Sequence, residues 1–339
     1  MRQTAVIRDY LLKNIEEYPT SISRMASEKF GVTRQAINLH INKLLNEGLI
    51  HAEGKTRNRN YKLKPITEKF FKLKISPELD EDTVWRTYLA QLLHGFKQNI
   101  VNISHYGFTE MYNNVIDHSE GENVLIKFIH FAGRIEFIVD DDGVGIFNKI
   151  SNALGLNDKR QAILELAKGK LTTDPERHTG EGIFFTTRMF DKYSILSSNL
   201  YFTHALGEDW LIEDRESGDR GTFIQMWLKT DTTRTVKEVF DKYATEANDY
   251  GFRRTHVPLN LASYGGENLV SRSQAKRVLS RFERFDEIFL DFSGVEFIGQ
   301  AFADEIFRVF VNNNPGKKMI VVNDNDNIKQ TIQRVSNRA

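Results

Sequence analysis

Apolar residues recur at helical spacing in three short runs at the start of the chain, TAVIRDYLLKNIEEY, SISRMASEKFG and TRQAINLHINKLLNEG. Gly31 and Gly48 stand where the second and third helices should end, and Thr33 stands where the third should be capped. The pattern then changes. LIHAEGKTRNRNYKLK carries two strand-like runs around a turn of Gly, Lys, Arg and Asn, which predicts a hairpin with a cationic tip. KPITEKFFKLKISPELDED reads as a linker, and a helical stretch follows from about Thr83 to Ser119. In NVLIKFIHFAGRIEFIVDDDGVGIF two alternating runs flank Ala-Gly-Arg, so a second hairpin is expected, its second strand ending in an acidic, glycine-rich turn. RHTGEGIFFTTRMFDKY places another glycine turn before a helix, and DRGTFIQMWL reads as a strand beginning at Gly221-Thr222. Beyond about Gly251, strands VPLNLA, EIFLDF and KKMIVV alternate with helices SQAKRVLSRFERF, GQAFADEIFRVFVNN and NIKQTIQRV, the pattern of a small α/β layer.

Composition narrows the class. A chain of 339 residues with ordinary apolar content, no secretory signal and no run long enough to span a bilayer is expected to be a cytoplasmic protein of two or three domains without a membrane partner. With no cysteine, disulfides, thiolate metal sites and cysteine nucleophiles are excluded. Total charge is balanced, 46 basic against 46 acidic residues, yet residues 1–64 hold twelve Lys or Arg against six Asp or Glu.

In the third helix Ile37, Ile41, Leu44 and Leu45 fall on one face, which leaves Arg34, Gln35, Asn38 and Asn42 outward; Lys55, Arg57 and Arg59 lie in the hairpin. Three helices followed by a basic hairpin, over residues 1–64, resemble the winged helix-turn-helix domain. The resemblance implies a DNA partner, with the third helix in the major groove and the wing on phosphates; Arg34, Gln35, Asn38, Lys55, Arg57 and Arg59 are of the types that meet base edges and phosphates. The same fold used for protein contacts or dimerisation is the alternative.

The stretch TEMYNNVIDHSEG sets Glu110, Asn114 and His118 at intervals of four, one stripe of a helix. Asp141-Asp142-Gly143-Val144-Gly145 puts a carboxylate at a strand end beside two residues that admit close backbone approach, which suits recognition of a purine amino group. The second glycine turn opens a helix whose free N–H groups can cradle phosphates. A helix with E-x-x-x-N, then D-x-G-x-G, then a glycine turn, then a strand beginning Gly-Thr resembles the GHKL superfamily over residues 105–232. This is the Bergerat-type α/β sandwich of gyrase, Hsp90, histidine kinases, MutL and anti-sigma-factor serine kinases, and it implies ATP and Mg²⁺. Carried over, Asn114 is the Mg²⁺ ligand, Asp141 the acceptor for the adenine amino group, and Glu110 the residue that polarises water or an acceptor hydroxyl. Gly143 and Gly145 admit the nucleotide, Gly180 and Gly182 contact phosphates, and Thr222 sits near the adenine. Phe147 to Thr179 would be the lid, with His178 a solvated loop residue and His118 a structural neighbour of Asn114. One departure from the histidine kinases stands out: His94, in LAQLLHGFKQNI, lacks the charged residue that follows a phosphoacceptor His, which argues against autophosphorylation.

IFLDFSGVEFIGQAFADEIF resembles the STAS domain and, more closely, a STAS-like domain of unknown function, with residues 250–339 as its extent and 65–104 as linker and helical connector ahead of the ATP domain. Where antagonists of anti-sigma factors carry a phosphorylatable Ser, this chain reads Gly299-Gln300-Ala301. Ser271, Ser273 and Ser293 are expected as cap or turn residues. The expected whole is a multidomain α+β and α/β regulator of transcription, a homodimer with a protein partner for its tail. In it Mg-ATP binding or slow hydrolysis switches the winged helix; the alternative is an anti-sigma-type serine/threonine kinase acting on a separate partner.

Overall fold

The computed structural model describes every residue except Met1, 55–58, Pro77, 172–179, 206–207, 214–220, 245–251, 264–267 and 337–339. The chain divides into two compact units. One comprises Met1–Phe71 with Ile126–Phe137 and Trp227–Thr232, the other Lys72–Leu125, Ile138–Met226 and Thr233–Ala339.

In the first unit α1 (Arg2–Asn14), α2 (Ile22–Phe30) and α3 (Arg34–Asn46) precede an antiparallel hairpin of β1 (Ile50–Glu53) and β2 (Asn60–Leu63), paired from Ile50↔Leu63 to Glu53↔Asn60. The expected stops and starts are present. Gly31 takes the left-handed conformation that ends α2, and the Thr33 hydroxyl accepts a 3.2 Å hydrogen bond from Ala36 N at the start of α3. Helix α1 stops at Asn14, short of the run that extends to Tyr18 in the sequence pattern. Ile37, Ile41 and Leu44 are buried with Ile7, Leu11 and Ile15, and this core also takes in Ile129 and Phe131 from a hairpin outside residues 1–64. At the same hairpin the Arg134 guanidinium stacks on the rings of Phe131 and Trp227, 4.5 and 4.1 Å from their centroids, and pairs with Glu16 just beyond α1. Lys13 pairs with Asp231 at 2.5 Å. The helices therefore belong with that hairpin through apolar contact and ion pairs together.

The segment expected to be a linker contains an eight-residue strand, β3 (Thr67–Lys74), at the edge of the seven-stranded sheet. The expected continuous helix from Thr83 to Ser119 is broken. Its parts are α4 (Glu81–Val84), a π turn over Trp85–Leu89, a 3₁₀ turn over Ala90–Leu93, and α5 (Gln98–His118), with Gly95 at φ +91° between them.

After α5 come β4 (Asn123–Phe131), β5 (Arg134–Asp141), α6 (Ile146–Leu154), α7 (Arg160–Lys168), α8 (Gly182–Met189), β6 (Lys192–Ser197), β7 (Leu200–Ala205), β8 (Glu208–Glu213), β9 (Thr222–Lys229) and α9 (Val236–Tyr243). The sheet order is β3-β4-β5-β9-β6-β7-β8, with β6, β7 and β8 an antiparallel meander. Helix α5 packs against α8 and buries Ile103, Phe108, Met111, Tyr112 and Val115.

The C-terminal part is a three-stranded parallel sheet, β10 (Arg254–Pro258), β11 (Glu287–Asp291) and β12 (Lys318–Val322), in that order. Helices α10 (Arg272–Leu279), α11 (Gln300–Asp304), α12 (Val311–Asn313) and α13 (Asp326–Ser336) accompany it, and a π segment at Glu305–Phe310 joins α11 to α12. Ser271 caps α10 in a reciprocal capping box with Gln274, as its position suggested. Among the described residues the run Val295–Ile298 makes a single bridge, Leu269↔Ile298, before Gly299 opens α11.

Candidate functional site

Burial of Phe108, Met111, Tyr112 and Val115 settles the rotation of α5, so the adjacent stripe of Glu110, Asn113, Asn114 and His118 lines a cavity of about 320 Å³. Four-residue spacing favours Asn114 over Asn113 in the sequence, yet both residues belong to the cavity wall.

The three consecutive acids at the end of β5 do different work. Asp142 lies outside the cavity wall, where its carboxylate accepts from Glu122 N at 2.8 Å, Asn123 N at 2.9 Å and Asn123 Nδ2 at 2.8 Å, holding the loop after α5. These donors keep it below the usual carboxylate range. Asp141 lines the cavity. It is 8% exposed, its Oδ1 accepts from Gly143 N at 2.9 Å, and burial, reinforced by Asp140 and Asp142, pushes its carboxyl up to about 6 against the pull of that hydrogen bond. Thr222 lines the same wall, and its hydroxyl accepts from Ile146 N at 3.0 Å, which ties the first residue of β9 to the start of α6.

Two glycines in this turn are required by the protein's own backbone. A Cβ at Gly143 would stand 2.0 Å from the Ser119 carbonyl oxygen, and Gly143 itself is not part of the cavity wall. Gly145 does line it, at φ +86°, with Ser197 Oγ 2.7 Å from where a Cβ would be. The close approach expected toward a ligand is thus, at Gly143, an approach to the loop after α5.

Gly180 and Gly182 complete the wall. The first intrahelical bond of α8 is Phe185 N to Glu181 O at 3.0 Å, so the N–H groups of Gly182, Ile183 and Phe184 have no acceptor within the helix. Glu110 lies against this helix start: a Cβ on Gly182 would be 2.0 Å from its Oε2. The carboxylate of α5 and the positive end of α8 meet there. Leu171 N donates to Gly180 O at 3.1 Å and joins the two ends of the segment between them.

Several lining residues had no sequence signal of their own. Lys149 projects from the first turns of α6, donating 2.9 Å hydrogen bonds to His118 O and Glu120 Oε1. Glu181 adds a third lining carboxylate to Glu110 and Asp141. Apolar cover comes from Ile146, Ile150, Leu166, Leu171 and Ile224. Only the position of Lys149 four residues after Gly145, on the same helical face, could have pointed to it. Among the described lining residues three carboxylates face one lysine, a balance that favours a polyanion only together with a divalent cation. His178 and the rest of the expected lid tip lie outside the described residues.

In the first unit Arg34, Gln35 and Asn38 are exposed along α3, and Asn38 Oδ1 accepts from Ser23 Oγ at 2.9 Å. Arg59 is exposed and stacks over Tyr61, 5.4 Å from the ring centroid. Lys55 and Arg57 lie outside the described residues. Among the described residues no group of His, Asp or Glu is arranged to hold a metal by itself, and no helix is long and apolar enough to cross a membrane.

Residues 274–329 match the model of a family described as a STAS-like domain of unknown function (DUF4325), so the C-terminal α/β part contains a STAS-like domain. The chain matches no curated protein.

Proposed function

We propose that the cavity binds Mg-ATP as a GHKL-type site and that its nucleotide state controls a DNA-binding winged helix. The observation that carries this reading is convergence. Glu110 and Asn114 from α5, Asp141 and Gly145 from the β5–α6 turn, Gly180 and Gly182 at the start of α8, and Thr222 on β9 line one cavity of a size suited to a small molecule. The residues fit the ligand. Asp141 supplies a buried acceptor for the adenine amino group, the open N–H groups of α8 suit phosphates, and the excess of carboxylates supports entry with Mg²⁺, which Asn114 would hold. When bound, ATP and its metal supply an activated phosphoryl group. Glu110 would orient the water, or an acceptor hydroxyl, that receives it.

Calorimetry with a non-hydrolysable ATP analogue tests the reading: binding is expected in the presence of Mg²⁺, weakened by chelation, with GTP a poor competitor. Absence of analogue binding with Mg²⁺ overturns it. Labelled phosphate transferred from ATP to another protein of a cell extract would move the assignment to a serine/threonine kinase.

Exposed Arg34, Gln35 and Asn38 on α3, with Arg59 and the basic hairpin, support duplex binding. The intact protein is expected to bind DNA with an affinity that falls steeply with salt, and replacing Lys55, Arg57 and Arg59 together by Ala should flatten that slope by up to about three counterions. An unchanged slope would remove the hairpin from the interface. ATP can shift this equilibrium only through a difference in its affinity for the two states, so Mg-ATP should alter the DNA dissociation constant.

A further inference from the structure

Helix α7 and the residues just beyond it have two faces. Leu166 and Leu171 line the cavity, whereas Glu165, Lys168 and the carbonyls of Gly169 and Lys170 meet the C-terminal part of the chain. Lys168 is fully buried. Its ammonium donates to Glu165 Oε1 at 2.6 Å, to Arg277 O at 3.1 Å and to Ser280 O at 3.0 Å. Arg281, which lies within the STAS-like match, donates to Glu165 Oε2 at 3.0 Å, Glu165 O at 3.2 Å, Gly169 O at 2.8 Å and Lys170 O. It thereby satisfies one carbonyl in the last turn of α7 and two just beyond it that no further helical turn can reach. Arg281 holds this position with its backbone at φ +65°, a conformation uncommon for a residue with a side chain. Thr255 Oγ1 donates to Lys168 O at 2.7 Å, and Phe252 packs on the cavity residue Phe184 with ring centroids 4.3 Å apart.

We propose that the STAS-like domain forms the support of one wall of the cavity, with Arg281 a positioning residue that holds Leu166 and Leu171 in place, so that docking of this domain sets the affinity of the cavity for its nucleotide. The identity of the ligand rests on the nucleotide reading above; the support of the wall does not. Two kinds of group converge on the end of α7 from the C-terminal part, the Arg281 guanidinium and the Thr255 hydroxyl, and an aromatic ring, Phe252, packs on the neighbouring wall residue Phe184 of α8. A surface needed only to tether two domains would not have to fill the far side of a ligand-binding wall, whereas a displacement here moves Leu166 and Leu171 directly.

The test uses the full-length chain with Arg281→Lys, which keeps one charge for Glu165 but cannot also reach the carbonyls of Gly169 and Lys170, and with Thr255→Val, which removes one hydrogen bond at nearly constant shape. Backbone hydrogen exchange of the ligand-free protein should be about tenfold faster over residues 166–171 in Arg281→Lys and several-fold faster in Thr255→Val, with α5 unchanged. The affinity for the ATP analogue should fall about tenfold and several-fold in the same order. Wild-type exchange over 166–171 in the variants overturns the proposal, and so does acceleration spread evenly over α5 and β11, which would show Arg281 to be structural only. Should Arg281→Lys fail to fold, Thr255→Val decides by the same criteria. A wild-type protein that binds no analogue, but whose residues 166–171 loosen in the variants, overturns the nucleotide reading and leaves the wall-supporting role standing.

Discussion

Asp141→Asn is expected to weaken nucleotide binding by two orders of magnitude or more and, in the same protein, to raise the stability of the ligand-free state at neutral pH. Both effects follow from one buried carboxylate. Its Oδ1 is engaged by Gly143 N, so an Asn there would present its amide oxygen to Gly143 and its NH₂ to the ligand, donor against the donor of the purine amino group. Losing a hydrogen bond to a charged acceptor and adding a donor clash accounts for about 3 kcal/mol, roughly a hundredfold. Stability moves the other way because burial raises the folded carboxyl to about 6, above its value of about 4 in an unfolded chain. The native state therefore holds its proton more tightly than the unfolded chain does. The cost of the buried charge is fully present above pH 6 and is relieved as pH falls from about 6 towards 4. A shift of about two units corresponds to about 2–3 kcal/mol, the order of the gain expected for the Asn variant at pH 7.5. Thermal melts at pH 7.5 and 5.0 should show the advantage shrinking at the lower pH. Wild-type affinity should be flat above pH 7 and fall towards tenfold per unit well below pH 6, as the acceptor is protonated. A variant with lower melting temperature and wild-type affinity would exclude Asp141 from the site.

Glu110→Gln is expected to bind the Mg-ATP analogue within about threefold of wild type while ATP turnover drops by about 10²-fold or more, the range for loss of a general base. The side chain keeps its shape and its place one turn before Asn114, and Asp141 is untouched. Gly182→Ala provides an independent check. The new Cβ cannot coexist with Glu110 Oε2 at 2.0 Å, so the carboxylate must swing away, and it can do so because it is the end of a flexible side chain. Alanine favours the helix by up to about 1 kcal/mol over glycine, so α8 should not be weakened. Gly182→Ala should therefore keep its melting temperature and lose turnover much as Glu110→Gln does. Equal hydrolysis rates in wild type and Glu110→Gln would make Glu110 a structural neighbour of Asn114 and nothing more.

Much of the local structure was legible in the sequence. The end of α2 at Gly31 and the start of α3 after Thr33, the cap at Ser271, the glycine turns after β5 and before α8, and the alternation of β10 to α13 are each written in residues that act on their own backbone within a few positions. The same holds for the set that lines the cavity: Glu110, Asn114, Asp141, Gly145, Gly180, Gly182 and Thr222 were all legible as motif positions. Strand β3 was not, because its lysines and exposed Phe70 read as a polar connector until β4 pairs with it. The meander β6–β8 and helix α9 carry no motif chemistry, and their local signal is the reciprocal capping box of Thr235 and Glu238 at the start of α9.

Distance along the chain separates what sequence alone determined from what tertiary structure decided. Three adjacent aspartates are chemically equivalent in a string; pairing with Asn123 holds Asp142 in the loop, and burial beside Thr222 sends Asp141 into the cavity. Gly143 looks like room for a ligand, and becomes room for the Ser119 carbonyl once α5 ends beside it. Lys168 shows the limit most plainly. In ILELAK a lysine three residues after a glutamate reads as the wet side of a helix. It is buried because residues more than a hundred positions later fold onto α7: Arg277 and Ser280 supply backbone acceptors for its ammonium, and Arg281 shares the Glu165 carboxylate that balances it, none of which periodicity alone can reveal.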